Sequence, residues 1–182
     1  MFPVQKIVNL VKKKIFRTYT EYNSLYQKFV SVSNMGHKGR MGNQLFQYAA
    51  ARAYSLKYNL PILLPIDKHN RLVEFQPTCS FVEKKYLKNV NKLTFNEKKF
   101  SYDSKFFDKN DKYDLNGLFQ TEKYFYGIRK ILLKELKTLK KNITDYCKDY
   151  INKLKNLYPN KDIVALHNRR GDNVPSKTEY SD

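Results

Sequence analysis

Residues 28 to 65 limit what this chain can fold into more than any other stretch. "KFVSVSN" (28–34) is short, β-branched and alternating, and a Gly/Lys-rich turn ends it, the pattern of a strand. Residues 43–58 then place Leu45, Tyr48, Ala49, Arg52, Ala53 and Leu56 at helical spacing. "NLPILLP" (59–65) is an apolar run bounded by prolines and reads as a buried strand. Strand, glycine turn, helix and strand make a βαβ unit, which pairs its strands in parallel and needs helices on the sheet. The expected fold class is therefore α/β, built on a Rossmann-like parallel sheet.

The rest of the chain extends the pattern unevenly. Residues 66–112 are rich in Lys, Asn and Phe and show only short candidate strands. "KYDLNGLFQ" (112–120) reads as a further strand. Thr121 is placed to cap a long helix whose seam includes Phe125, Ile128, Leu132, Leu136 and Leu139. A second helical stretch carries Tyr146, Tyr150, Ile151, Leu154 and Leu157 and stops at Tyr158-Pro159-Asn160. "DIVALHN" (162–168) is an apolar strand pattern that runs straight into "RRGD". With 182 residues the chain has room for one domain, or one domain and the start of a second.

Charge and cysteine usage narrow the setting. Lys plus Arg number 35 against 17 Asp plus Glu, a net charge of +18, which favours anionic partners without choosing among them. Cys79 and Cys147 are far apart, with no spacing typical of a disulfide framework or a zinc site, so a reducing, cytoplasmic setting is expected. The apolar runs are too short to span a bilayer. "MFPVQKIVNLVKKKIF" is no signal peptide, because polar residues interrupt it. Read as a helix, it sets Val4, Ile7, Val8, Val11 and Ile15 opposite Lys6, Lys13 and Arg17. Residues 1–27 are thus a basic amphipathic extension, packed on its own domain or resting on an anionic membrane. Asn142-Ile143-Thr144 matches a glycosylation acceptor but reads as a helix cap.

Two turns stand out chemically. In "GRMGNQLFQYAAARA" (39–53), Gly39 and Gly42 allow a ligand close to the backbone where a strand turns into a helix. Arg40 adds a planar fork suited to phosphate oxygens, and Asn43 a donor in the first helical turn. The spacing matches neither common nucleotide-binding glycine pattern, and a purely structural tight turn is the competing reading. The second turn is "HNRRGD" (167–172). Three of the seven arginines, Arg40, Arg169 and Arg170, lie in these two turns although lysine dominates elsewhere, which argues that guanidinium geometry matters there. Neighbours on a strand face opposite ways, so His167 and Arg169 share one face while Arg170 turns towards a carboxylate, most simply Asp172. A basic surface turn is the plain alternative.

These residues carry a resemblance. "GRMGNQLFQYAAARA" resembles the N-terminal signature of the α-1,2-fucosyltransferases, glycosyltransferase family 11. "NGLFQTEKYF" (116–125) is similar to that family's central segment, and "ALHNRRGDNV" (165–174) to its HxRRxD motif, with Asn168 where the family usually has an apolar residue. The three motifs stand in the family's order and cover residues 39 to about 174. The resemblance implies an inverting, metal-independent transfer of fucose from GDP-fucose to a galactoside hydroxyl, with no cofactor. It also implies a GT-B fold of two facing Rossmann-like domains. Residues 28–160 would then be the N-terminal, acceptor-side domain, and 161–182 the beginning of the donor-binding domain, most of which is expected to be missing. The partners implied are GDP-fucose, a galactose-terminated glycan and, for a half-enzyme, a second chain that completes the donor domain.

Carried over residue by residue, Arg169 is the catalytic clamp on the β-phosphate and His167 a donor contact. Arg170 and Asp172 pair to hold their turn. Gly39, Arg40, Gly42 and Asn43 meet the diphosphate and fucose from across the cleft. No residue is identified as a general base, and the lack of an Asp-x-Asp pair agrees with metal-free chemistry. Two other function classes stay open: a non-catalytic domain that binds a glycan or protein, and a basic nucleic-acid-binding module using some of the 15 Tyr and 12 Phe for stacking. The latter lacks any nucleic-acid motif, so no nucleic-acid partner is expected.

Overall fold

The computed structural model describes residues 27–88, 92–98, 101–108, 111–137 and 139–166. The extension expected over 1–27 lies outside the described residues except at its last position. The described residues divide into two compact units, one ending at Lys140 and one starting at Lys141, rather than at 160/161.

The first unit is built on five strands: β1 (Phe29–Ser31), β2 (Ile62–Ile66), β3 (Ser80–Glu83), β4 (Leu93–Asn96) and β5 (Lys112–Asn116). All pair in parallel, in the order β3-β2-β1-β5-β4. The α/β class and the parallel sheet read from the sequence are both present. From β1 the chain works outward to β3 on one side, then crosses to the far edge and returns through β4 to β5. The strand order therefore reverses between β1 and β5. In open α/β sheets the carboxyl ends of the strands at such a reversal border a ligand crevice.

Helix α1 (Met41–Tyr58) makes the β1–β2 crossover. Its small residues, Ala49, Ala50, Ala51 and Ala53, are buried and let it lie close to the sheet. The larger Tyr48 and Tyr54 fill the space beside them and are fully buried. Asn59, at φ 53°, ends the helix in the left-handed conformation that asparagine tolerates. Against α1, Phe106 sits at the centre of an aromatic cluster, with ring centroids 5.8 Å from Tyr54, 5.5 Å from Phe95, 5.7 Å from Phe119 and 4.8 Å from Tyr124.

The segment 66–112, opaque in the sequence, supplies β3, a short α2 (Lys84–Lys88) and β4. The long helix expected from Thr121 does not form. Thr121 precedes only a 3-10 turn, Glu122–Tyr124, and makes no side-chain cap bond. Gly127, at φ +89°, then turns the chain, and the helix α3 is confined to Arg129–Leu136. Phe125 and Ile128 still pack on the core, but from the turn rather than from a helical seam.

A carboxylate on α3 fastens this unit. Glu135 accepts from the Tyr48 hydroxyl (2.5 Å), from Arg52 Nε (3.0 Å) and from Thr78 Oγ1 (2.7 Å), and its Oε1 lies 2.9 Å from Arg52 Nη2. Burial opposes its charge, yet the Tyr48, Thr78 and Arg52 donors together hold its carboxyl below the ordinary range. Burial, reinforced by the Glu135 charge, pushes the Cys79 thiol up to about 12, which leaves it a packing residue rather than a nucleophile.

The second unit contains α4 (Lys141–Leu157), the helix expected from the tyrosine and leucine spacing. Asn142 lies inside its first turn, not at a cap. Tyr146 and Tyr150 stack 6.5 Å apart on its surface. The strand expected over 162–168 is absent from the residues that are described: 161–166 hold no regular structure, and Val164 and Leu166 are 85% and 93% exposed. Apolar composition makes a segment fit for a sheet, but a strand exists only where neighbours supply its backbone partners.

Candidate functional site

Two loops, 32–40 after β1 and 117–121 after β5, meet at the carboxyl ends of these paired strands, where a parallel sheet of this topology carries its ligand crevice. The two sequence motifs at 39–53 and 116–125 meet there.

On the β1 side, Gly39 takes φ +76°, and a side chain there would also strike Asn43, with a Cβ only 2.1 Å from Asn43 Nδ2. Glycine is therefore required to turn the strand into α1. Arg40 is the N-cap residue, with an extended backbone and no side-chain cap bond. No acidic residue lies in the first turn. Lys38 and Arg40 thus stand beside the positive end of the helix dipole, an arrangement that favours an anion. Gly42 differs from Gly39: a Cβ added to it meets nothing within 4 Å. Glycine inside a helix is destabilising by roughly 0.5–1 kcal/mol relative to alanine. Packing gives no reason for it here, and the space above the first turn is open.

On the β5 side, Phe119 is fully buried with φ 54°, a left-handed conformation that is rare for a bulky residue. Two bonds impose it: the amides of Leu118 and Phe119 both donate to Glu97 Oε2, at 2.7 and 2.9 Å. The twist carries Gln120 to the start of α1, where its Nε2 donates to Asn43 Oδ1 at 2.6 Å.

Gln47 bridges the loops from below. It is 1% exposed, and its Nε2 donates to Lys38 O (3.2 Å) and to Gly117 O (2.8 Å), so one amide sets the spacing of both crevice walls. Lys38 Nζ reaches across to Asn116 Oδ1 at 3.0 Å. Beneath them Asp114 on β5 accepts from Ser31 Oγ (2.7 Å), Ser33 N (2.9 Å) and Ser33 Oγ (2.5 Å), with Lys92 Nζ at 3.2 Å. Two oxygens nearby, Gln47 Oε1 and Glu97 Oε1, are buried and accept nothing among the described residues.

Gly39, Arg40, Gly42 and Asn43 are therefore gathered on one helix start, as the sequence led us to expect. His167, Arg169, Arg170 and Asp172 lie outside the described residues. Sequence reasoning missed Gln47, Glu97 and Asp114. Gln47 was within reach, since it follows Asn43 by four residues and so shares its helix face. Glu97 carried no local signal, because its role is set by a loop some twenty residues further on.

Among the described residues no group of three or more His, Cys, Asp or Glu is disposed to hold a metal ion, and no helix is long and apolar enough to cross a membrane. The chain matches no protein-family model, no curated protein and no solved structure.

Proposed function

We propose that this chain is a glycosyltransferase of the α-1,2-fucosyltransferase type, which transfers fucose from GDP-fucose to a galactoside hydroxyl with inversion and without a metal. The observation that carries the reading is the meeting of two family-like motifs, through Gln120–Asn43 and Gln47–Gly117, at the reversal point of a parallel sheet. β1 and β5 are paired neighbours, and these side-chain bonds fasten the two loops that follow them.

In this reading residues 28–160 form the acceptor-side half of a GT-B fold, and a donor-binding half begins near 161. The C1–O bond of the donor breaks with charge collecting on the diphosphate. Most of the acceleration then comes from donors fixed in advance around that charge. Arg40 offers two parallel N–H groups to the phosphate oxygens, aided by the α1 dipole. By the resemblance, Arg169 would clamp the β-phosphate, His167 contact the donor and Arg170 pair with Asp172. Asn43, with its Oδ1 engaged by Gln120, directs its amide N–H groups at the fucose or diphosphate.

Transfer is tested by incubating the chain with labelled GDP-fucose and lactose in excess EDTA and analysing the product linkage. An α-1,2-linked trisaccharide is expected. For a half-enzyme the expectation is a melting shift with GDP that GMP does not match, because the diphosphate is what the arginines grip. The absence of both transfer and a GDP-selective shift would overturn the reading.

A further inference from the structure

An inverting transfer needs a group that removes the acceptor proton as the new bond forms, and the sequence pointed to none. The structure offers one on the β2 flank of the crevice. His37 and His69 lie there with ring centroids 5.8 Å apart. The two loops that carry them are fastened closely. Gly36, at φ +90°, has no room for a Cβ, which would stand 2.8 Å from the His69 carbonyl carbon. Gln44, in the first turn of α1, donates from Nε2 to His69 O at 2.9 Å and accepts from Arg71 N at 2.7 Å.

Asp67, the residue after β2, ties His37 in place. Its Oδ2 is 2.7 Å from His37 Nε2, and its Oδ1 accepts from His69 N at 2.8 Å. Burial opposes its charge, but the His69 amide, the His37 ring and the Lys84 charge hold the carboxyl below its ordinary range. An ionised carboxylate only accepts, so the shared proton belongs to His37 Nε2, and a neutral ring in this bond would carry its lone pair on Nδ1. Asp67 is 15% exposed at its side chain, whereas His37 is 44% exposed. The carboxylate is shielded and the imidazole is open to a substrate. This is the division found where a carboxylate orients a catalytic histidine.

We propose that His37, oriented by Asp67, is the general base of the transfer. Its Nδ1 takes the proton of the galactoside hydroxyl as that oxygen bonds to fucose C1. The C1–O bond to the diphosphate breaks at the same time, and its electron pair leaves on GDP. His37 is three residues from Arg40 in the same loop, so acceptor and donor groups approach from one segment. His69 and Lys84 are titratable or charged groups beside the His37–Asp67 pair. The inference rests on the proposed function, and its test keeps the two separable.

The full chain, labelled with ¹⁵N at histidine, is saturated with GDP and titrated with lactose while the ring nitrogens are followed by NMR. A neutral Nε2–H tautomer is expected at His37, with an Nδ1 resonance that moves on adding lactose while that of His69 does not. Asp67→Asn should mix the two tautomers. In turnover, His37→Gln should lower kcat by about 10²–10³ with GDP affinity unchanged. If GDP binds but lactose leaves Nδ1 unmoved, or if His37→Gln transfers fucose at the normal rate, the pair merely fastens two loops and the inference fails alone. Should His37→Gln fail to fold, the titration of the unaltered chain still decides. If GDP does not bind at all, the proposed function falls and takes this inference with it.

Discussion

Two carboxylates, Glu135 and Glu97, each tie distant parts of the first unit together, and they do so differently. Glu135 uses both oxygens, on Arg52, Tyr48 and Thr78, and the backbone of the residues it joins is relaxed. Glu97 uses one oxygen, on two successive amides, and what it holds is the left-handed Phe119; its other oxygen is buried and accepts nothing among the described residues. The first arrangement satisfies every group it touches. The second maintains a strained turn beside a crevice. Strain of this kind persists where surrounding structure over-determines it, and it clusters at binding and catalytic sites. The comparison sets Glu135 with stability and makes the β5 loop the place where the proposed function is tested.

The largest effect should come from breaking the satisfied node. Glu135→Ala strands the Arg52 guanidinium and the Tyr48 hydroxyl and should cost about 3 kcal/mol or more in urea unfolding, with GDP affinity unchanged below the transition. Glu97→Ala leaves two amides unpaired and should cost less, about 1–3 kcal/mol, yet it should weaken GDP binding by releasing the loop that carries Gln120. Equal losses of stability and equal silence towards GDP would erase the distinction.

Acid sharpens the same contrast. The folded-state value for Glu135 lies below its ordinary 4.5, so its contribution is fully present above that range and is lost as pH falls through the folded value. The stability gap between the native chain and Glu135→Gln should therefore narrow on acidification below about pH 4.5, as followed by urea midpoints across pH. A gap that widened would contradict the ionised, paired state. The smallest effect has an unusual sign. Gly42→Ala should stabilise the chain by up to about 1 kcal/mol while lowering its affinity for GDP, because the methyl fills the open space above α1. Loss of stability there would mean that packing, not a ligand, keeps the glycine.

The sequence made the β1–α1–β2 unit legible because its signals are local: alternation in 28–34, small residues and tyrosines at helical spacing, and a glycine turn between strand and helix. It misled at Thr121, where a sound capping residue and an apolar seam were overridden by the turn at Gly127. It misled again over 162–166, the described part of the strand expected at 162–168, where apolar character could not supply pairing partners. The site shows the same division. Gly39, Arg40, Gly42 and Asn43 could be named from one continuous stretch, whereas Glu97 and the His37–Asp67 pair take their roles from loops joined only by folding.

One measurement tests the central claim of the proposed function most directly, namely that a diphosphate is gripped at the start of α1 through Arg40. It is the affinity of the native chain and of Arg40→Ala for GDP and GMP, read by calorimetry. The change should weaken GDP binding by about tenfold or more and GMP binding far less. GDP and GMP affinities that the change leaves untouched would contradict it.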